Sequence, residues 1–392
     1  MSLALDRTTW KRFTLGEVVR HVTDRVDADT CGLKRFLAGE HIPSGSLSIT
    51  NWGVIGRDPI GPMFYKRFKP GHVLYVSRRT YLRKVAVPKF EGITGEKTFV
   101  LETLDESLLL QEFLPFVLSA ENFHAYAIAH SRGSVNPYLN WGELTAYEFD
   151  LPPIDEQRRL AGLAWAVERH RLAVAKSKVN AAAAADVYFS EMLARHAAET
   201  VPAPDLIDEM TVGVVVRPTQ YYTDDRVAGV PALRGLNVRP GGFDLTDLVY
   251  FRPESAADLR KSTLREGDVV VIRTGRPGDA AVVPSEVVGY NCIDLIIVRP
   301  GRHIDSKFVE LFLNSGYGRA QILRRSAGTA QQHFNVGALK KLRIPVLSLD
   351  EQRVLVSATA EIQSVSNRFA DELASLRAMR DAMLNNVFGV AE

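Results

Sequence analysis

The chain has 392 residues, of which 46% are hydrophobic and 24% charged, with a formal net charge of +2. That length carries two to three domains with ample apolar material for real cores, and a near-neutral balance leaves any nucleic-acid surface to local clustering of basic residues. Two distant cysteines, Cys31 and Cys292, exclude a disulfide framework, and neither sits in a Cys/His cluster of zinc-ligand spacing.

The N-terminal segment MSLALDRTTWKRF has no apolar core and is not expected to be a signal peptide. No run of 18 apolar residues occurs, so no spanning helix is expected. Residues 1–150 are rich in Gly, Pro, Val and aromatics, and short runs such as HVLYVS read as strands. EFLPFVLSA reads as a short helix within the same domain. Pro152 and Pro153 end this texture. From Asp155 to Arg195 there is no proline and one glycine, and Ala, Leu, Glu, Arg and Met dominate, which predicts one long helix. Asp155 and Glu156 suit the positive end of its dipole.

The pattern then starts again. The segment HAAETVPAPDL reads as a linker. Residues 199–347 return to the β-rich texture, with DVVVIR and CIDLIIV as strands and KFVELFLNS as a short helix. Pro345 closes it, Ser348 and Glu351 have capping-box spacing, and Asp350 to Phe388 predicts a second long helix.

The two halves are copies. SRGSVNPYLNWGEL (131–144) aligns without gaps with SAGTAQQHFNVGAL (326–339) at an offset of 195, and the same offset superposes DEQR at 155–158 on DEQR at 350–353. Upstream echoes follow at 196 and 197: GHVLYVS with GDVVVIR, LAGEHI with LRGLNV, FTLGEVV with MTVGVVV. A repeat of this length means one structural unit used twice. The expected organisation is a β-rich domain at 1–150, a helix at 151–198, a second β-rich domain at 199–347 and a second helix at 348–392.

Each long helix carries a seven-residue apolar stripe: Leu160, Val167, Val174, Ala181 and Tyr188 in the first, Leu355, Ile362, Phe369, Leu376 and Met383 in the second. The companion positions are poorer, at Leu163, His170, Ser177 and Ala184 against Ala358, Val365, Glu372 and Met379. Such a half-polar seam fits an imperfect antiparallel pair within the chain, a flank that docks another protein, or both. About 40 residues at 1.5 Å each span roughly 60 Å, more than a cap on a small domain needs, so the helices read as spacers. The fold class expected is α+β: two β-rich domains separated by two long antiparallel helices in a coiled-coil spacer, with pseudo-twofold internal symmetry.

Catalytic signatures are missing. GRPGDAA (275–281) lacks the Lys-Ser/Thr of a phosphate loop, and no glycine motif of a dinucleotide or S-adenosylmethionine pocket follows a strand. Asn136-Pro137-Tyr138 resembles part of an adenine-methyltransferase tetrapeptide but lacks one proline, and its repeat partner Gln331-Gln332-His333 does not match at all. No catalytic, cofactor-binding or metal residue is assigned. Side chains suited to base edges do cluster at corresponding places in the copies: Arg78, Arg79, Arg83, Lys84, Asn136, Tyr138 and Asn140 in the first, Arg234, Asn237, Arg273, Arg276, Gln331, Gln332, His333 and Asn335 in the second. Arginine can bond guanine through two donors, and Asn or Gln can do so with adenine. Against this, a single surface arginine is most often only solvated, and Asn140 and Asn335 sit where a turn would be capped.

This layout resembles the specificity subunits of type I restriction-modification systems. The segment G…N…L…I-P-P-x-x-E-Q that opens each helix in that family is matched by Gly133, Asn140, Leu144, Leu151-Pro152-Pro153 and Glu156-Gln157, and again by Gly328, Asn335, Leu339, Ile344-Pro345 and Glu351-Gln352, the second copy having a single proline. The resemblance implies a non-catalytic, cytoplasmic prokaryotic protein of phage defence. It implies two target-recognition domains that read the halves of a split double-stranded DNA target. Its helices would act as ruler and as dock for methyltransferase subunits, which bind S-adenosylmethionine, and a motor-nuclease subunit joins in full restriction systems. The rival readings are a self-contained DNA methyltransferase or nuclease, and a coiled-coil assembly protein that does not touch DNA.

Overall fold

The computed structural model describes residues 5–196, 199–326 and 333–389. Contacts divide the chain into two units, Met1–Lys176 with Ala370–Glu392, and Ser177–Phe369. This differs from the division expected at 150, 198 and 347. The long helices are not separate bodies: each unit holds one β-rich domain, the start of the helix that follows it and the end of the other helix. The reason is packing, since the buried face of each helix segment joins the core of a β-rich domain.

In the first unit Lys11–Thr14 pairs antiparallel with Glu148–Leu151, closing the domain just before its helix. A four-stranded antiparallel sheet follows the order Val19–His21, Thr98–Thr103, Val73–Val76, Val85–Ala86. Its centre is apolar on both faces because both are covered. Val73, Tyr75, Phe99 and Leu101 enter the core shared with the helices, while Leu74, Val76 and Val100 enter a second core beneath the other sheet. Side-chain alternation along a strand sends neighbours to opposite faces, so one sheet separates two cores. The second sheet has the order Gly53–Val54, Arg35–Leu37, Gly92–Gly95, Phe64–Phe68, with a parallel step between Arg35–Leu37 and Gly92–Gly95. Gly53 is required there: a Cβ would lie 2.1 Å from the Phe36 ring.

The second unit repeats this plan. Thr200–Pro202 pairs with Arg343–Pro345. The antiparallel sheet runs Ile207–Val212, Leu295–Pro300, Val269–Ile272, Ala280–Val282. Val269, Val271, Ile296 and Val298 face one core, and Val270, Ile272, Leu295 and Ile297 the other. The parallel step recurs between Val230–Leu233 and Asn291–Cys292. The periphery differs: Tyr222–Thr223 and Val249–Phe251 complete this sheet on the far side of Val230–Leu233. The expected single strand CIDLIIV is two strands in two sheets. Asp294 breaks it with a left-handed backbone, φ +52°, a conformation few non-glycine residues adopt.

The long helices cover Ile154–Arg195 and Leu349–Phe388. The expected capping box forms, with the Ser348 backbone N–H and hydroxyl both donating to Glu351 Oε2 at 2.7 Å. Within the first unit His170 Nε2 lies 2.8 Å from Glu372 Oε1, and Leu160 and Ala164 share a core with Leu384 and Val387. Within the second, Ser366 donates to the Lys178 carbonyl at 3.3 Å, and Phe189 and Leu193 share a core with Leu355. In each unit numbers rise along one helix as they fall along the other, so the segments are antiparallel.

The apolar stripe lies on the inner face. Leu160, Val174, Leu355 and Leu376 are buried, and Val167, Ala181, Tyr188, Ile362, Phe369 and Met383 are half-buried. The companion positions require partial correction: Leu163, His170, Ala184 and Met379 are exposed, whereas Ser177, Ala358, Val365 and Glu372 are half-buried. The buried companions lie one residue later, at Ala164, Arg171 and Ala185 and at Thr359 and Ser366, with Lys178, Leu373 and Arg380 half-buried. At 3.6 residues per turn a side chain at i+4 stands about 40° to one side of position i, and one at i+3 about 60° to the other. The β-rich domains pack on the i+4 side. Ala161 and Ala164 join their core there, and Glu168 with Arg171 binds Ser46.

Candidate nucleic-acid interface

Each β-rich domain presents a loop platform at the end of its inner sheet strand, built by the same main-chain contacts. In the first unit Arg78 and Tyr138 form a β-bridge, and the Leu139 N–H donates to the Ser77 carbonyl at 2.9 Å. In the second Thr274 and His333 form the bridge, and the Phe334 N–H donates to the Arg273 carbonyl at 2.9 Å. The repeated backbone therefore puts different side chains at equivalent places: Arg78 and Tyr138 in one copy, Thr274 and His333 in the other.

On the first platform Arg78 is exposed and has no side-chain partner among the described residues. Arg79 holds a left-handed backbone (φ +55°), donates its N–H to Pro137, and sends Nε to Asn136 Oδ1 at 2.7 Å. Tyr138 lies under Lys97, with Nζ 4.8 Å from the ring centre, a cation–π distance. Gly133 has φ +93°, which explains the glycine at this point of the motif. Arg132 also bridges Tyr138 through the main chain and pairs with Glu143 at 2.5 Å. Lys97 and Arg132 were not among the sequence candidates. Lys97 reaches the platform only because Ser77 N–H bonds its carbonyl across the sheet, and no local pattern signals that pairing.

Other candidates of the first unit serve elsewhere. Arg83, also left-handed at φ +53°, makes a two-pronged pair with Glu121 at 2.6 and 2.7 Å. Lys84 donates to the Gly39 carbonyl, and burial pushes its ammonium below the usual lysine range. Asn140 occupies the position before the helix Trp141–Thr145 in extended conformation, as a turn residue would.

In the second unit the corrections are larger. Asn237 is fully buried and cannot reach a base edge. Its Oδ1 accepts from the Arg234 N–H at 2.9 Å and its Nδ2 donates to the Asp244 and Asp247 carbonyls at 2.9 Å each. Arg234 binds the Asp247 carbonyl and carboxylate at 3.0 Å. Arg273 pairs with Asp294, the residue of the strand break, and its Nη2 lies 2.7 Å from His333 Nε2. His333 Nδ1 is 3.0 Å from the Thr274 hydroxyl. Arg276 pairs with Asp279 at 3.1 Å and donates to the Val238 carbonyl at 2.8 Å. Asn335 caps the helix Val336–Lys340, accepting from Ala338 N–H at 2.9 Å. Gln331 and Gln332 lie outside the described residues. The common reason is that an arginine or amide beside a tight loop finds main-chain carbonyls and carboxylates of its own domain before it finds solvent.

The residues of the E-Q signature take a structural role, and it is the same in both units. Gln157 is fully buried; its Oε1 accepts from Leu110 N–H at 3.0 Å, and its Nε2 donates to the Leu108 and Pro152 carbonyls at 2.8 and 2.9 Å. Gln352 accepts from Asp305 N–H at 2.8 Å and donates to the His303 and Leu347 carbonyls at 3.0 and 2.9 Å. Every partner is displaced by the repeat offset. The glutamine locks each long helix to its β-rich domain and so fixes where the platform stands relative to the helix start.

Two such platforms on one duplicated chain define its class of architecture, a tandem of two β-rich domains with equivalent loop platforms, each joined to a long helix. No protein-family model matches the chain. It is similar to the specificity subunit of the type I restriction enzyme EcoKI of Escherichia coli strain K12, 26% identical over 171 residues, covering 42% of this chain and 36% of that protein. It is 25% identical over 171 residues to the StySPI specificity subunit of Salmonella potsdam, with the same coverage. The chain thus aligns with about a third of the length of these curated relatives. Among solved structures it shares a fold with a chain from a study of type I restriction-modification complex assembly (TM-score 0.62, 18% identity, 96% of this chain and 97% of that one). It shares the fold also with the type I S subunit from M. genitalium (TM-score 0.53, 14% identity, the full length of both). The chain has the specificity-subunit fold and resembles type I specificity subunits in sequence.

Proposed function

We propose that this chain is the non-catalytic specificity subunit of a type I restriction-modification complex, each unit reading one half of a split double-stranded DNA target. The observation that carries this reading is the repeated platform with divergent side chains. One backbone design offers Arg78, Arg79, Asn136 and Tyr138 in the first copy and Thr274 and His333 in the second, as expected where two half-sites differ in bases. Arg78, exposed and without a side-chain partner among the described residues, is the foremost candidate for a direct contact to guanine or phosphate.

In this reading methyltransferase subunits dock on the chain and carry S-adenosylmethionine, while the chain itself holds no cofactor. A motor-nuclease subunit joins where the system restricts DNA. The protein works in the prokaryotic cytoplasm; among the described residues no helix is long and apolar enough to cross a membrane. The helices act as the ruler between half-sites.

The test is modified-base sequencing of genomic DNA from cells that express the chain with its neighbouring methyltransferase. A split motif of methylated adenines that disappears on deletion of this chain supports the proposal. Replacing residues 1–150 with another recognition domain is expected to change one half of that motif only. Genomic DNA without any such motif, from cells in which the methyltransferase is active, refutes the proposal and favours an assembly protein that does not read DNA.

A further inference from the structure

The first unit contains a cleft of about 630 Å³ beside its platform, with an arginine-rich wall. Arg83 stands on the turn Thr80–Leu82 that begins at Arg79, and Tyr81, half exposed, lies at the same place. Across the cleft the end of the second long helix presents Arg377 and Arg380, and Arg171 comes from the first helix.

The charges around it do not cancel. Arg83 pairs with Glu121, Arg380 with the neighbouring Asp381 and with the Gly45 carbonyl, and Arg171 with the buried Glu168. Arg377 is exposed and has no partner among the described residues. His124, buried in the lining, contributes no positive charge near neutral pH. Burial pushes its imidazole down to about 4, and Arg83 and Arg380 add to the effect, while Glu121 and Asp381 oppose it.

The arginines of this wall are not repeated in the other unit. At the repeat offset Arg377 and Arg380 correspond to Ala182 and Ala185, and Arg83 to Gly278. Asp186, the counterpart of Asp381, accepts from the Gly316 N–H at 2.8 Å, so the corresponding carboxylate is spent on the domain itself. The basic wall is an addition to one copy and not a requirement of the shared fold.

We infer that this cleft seats a backbone phosphate of the DNA flanking the half-site read by the first unit, with Arg377 as the contacting cation and Arg83 and Arg380 in support. The inference rests on the DNA-reading proposal. Continuity favours phosphate over an acidic protein segment: Arg79 on the platform and Arg83 on the cleft wall bracket one three-residue turn, so a strand that crosses the first next meets the second. Phosphate contacts add affinity without sequence information and make binding salt-dependent.

The test uses the complex of this chain with its methyltransferase and a mixed-sequence duplex of about 40 base pairs, with affinity measured against salt concentration. Arg377→Ala is expected to weaken binding roughly fivefold at moderate salt and to lower the slope of log affinity against log salt by about one, equally for every sequence. Arg377→Lys is expected to keep most of the slope. Wild-type binding with an unchanged slope in Arg377→Ala overturns the cleft assignment alone, as does a loss of methyltransferase assembly in that variant, which would make the wall a protein dock. Failure of the wild-type complex to bind duplex DNA at all overturns the DNA-reading proposal beneath it.

Discussion

Replacing Gln157 by leucine tests whether the signature glutamine is a clasp. The wild-type side chain satisfies one N–H and two carbonyls in a fully buried position. Leucine fills nearly the same volume but satisfies none of them. Each net hydrogen bond is worth about 0.5–1.5 kcal/mol, and a buried group left unpaired costs about 1–3 kcal/mol. The Pro152 carbonyl is buried with the glutamine, whereas Leu110 N–H and the Leu108 carbonyl are only part-buried, so water can partly replace their lost partner. Counting the Pro152 carbonyl in full and the other two groups in part, the expected destabilisation is about 3–5 kcal/mol, at the upper end of single substitutions. The assay is urea unfolding of the full chain with hydrogen exchange read separately over 108–112 and 303–307. Gln157→Leu is expected to lose protection in the first segment and keep it in the second, and Gln352→Leu to do the reverse. A loss below about 1 kcal/mol, or equal loss in both segments, would refute the clasp.

Asn237→Ala is expected to cost about 2–4 kcal/mol in the second unit, since two carbonyls and an N–H lose their partner; an altered base preference without loss of stability would restore it as a reading residue. The first unit is expected to be acid-sensitive. His21 and His124 both have imidazoles pushed down to about 4, His21 by burial and then by Lys66. Between pH 4 and 6.5 the unfolded chain binds more protons than the folded one, so stability falls as pH drops through that window, by about 2 kcal/mol for each histidine after allowance for the partial exposure of His21. A urea midpoint for the first unit that stays flat from pH 7 to 4.5 would contradict this. Lys66 extends the argument to alkaline pH: burial lowers its ammonium to about 8, so stability is expected to rise between pH 8 and 10.5, and Lys66→Met to abolish the rise.

The duplication, the two long helices, their capping and the apolar stripe were legible in the sequence because each depends on residues close together in the chain or on a repeat that aligns without gaps. Pro152, Ser348 and the run from Asp155 to Arg195 act through local backbone preference, which survives in any tertiary setting. Half of the companion seam positions were misplaced by one residue because i+3 and i+4 both flank a helical stripe, and only the neighbouring domain decides which flank is covered more deeply. The same holds for the candidate site. Arg78 and Asn237 are both polar residues beside a strand end, and nothing in the sequence around them separates an exposed donor from a buried clasp. Arg273 was assigned to DNA, yet the tertiary fold carries Asp294 and His333 to its guanidinium from 21 and 60 residues away. Local sequence determines which elements form and that they form twice. Which polar groups remain free to meet a ligand is decided by the long-range partners that folding brings to each, because a buried donor must be satisfied from whatever lies within 3 Å.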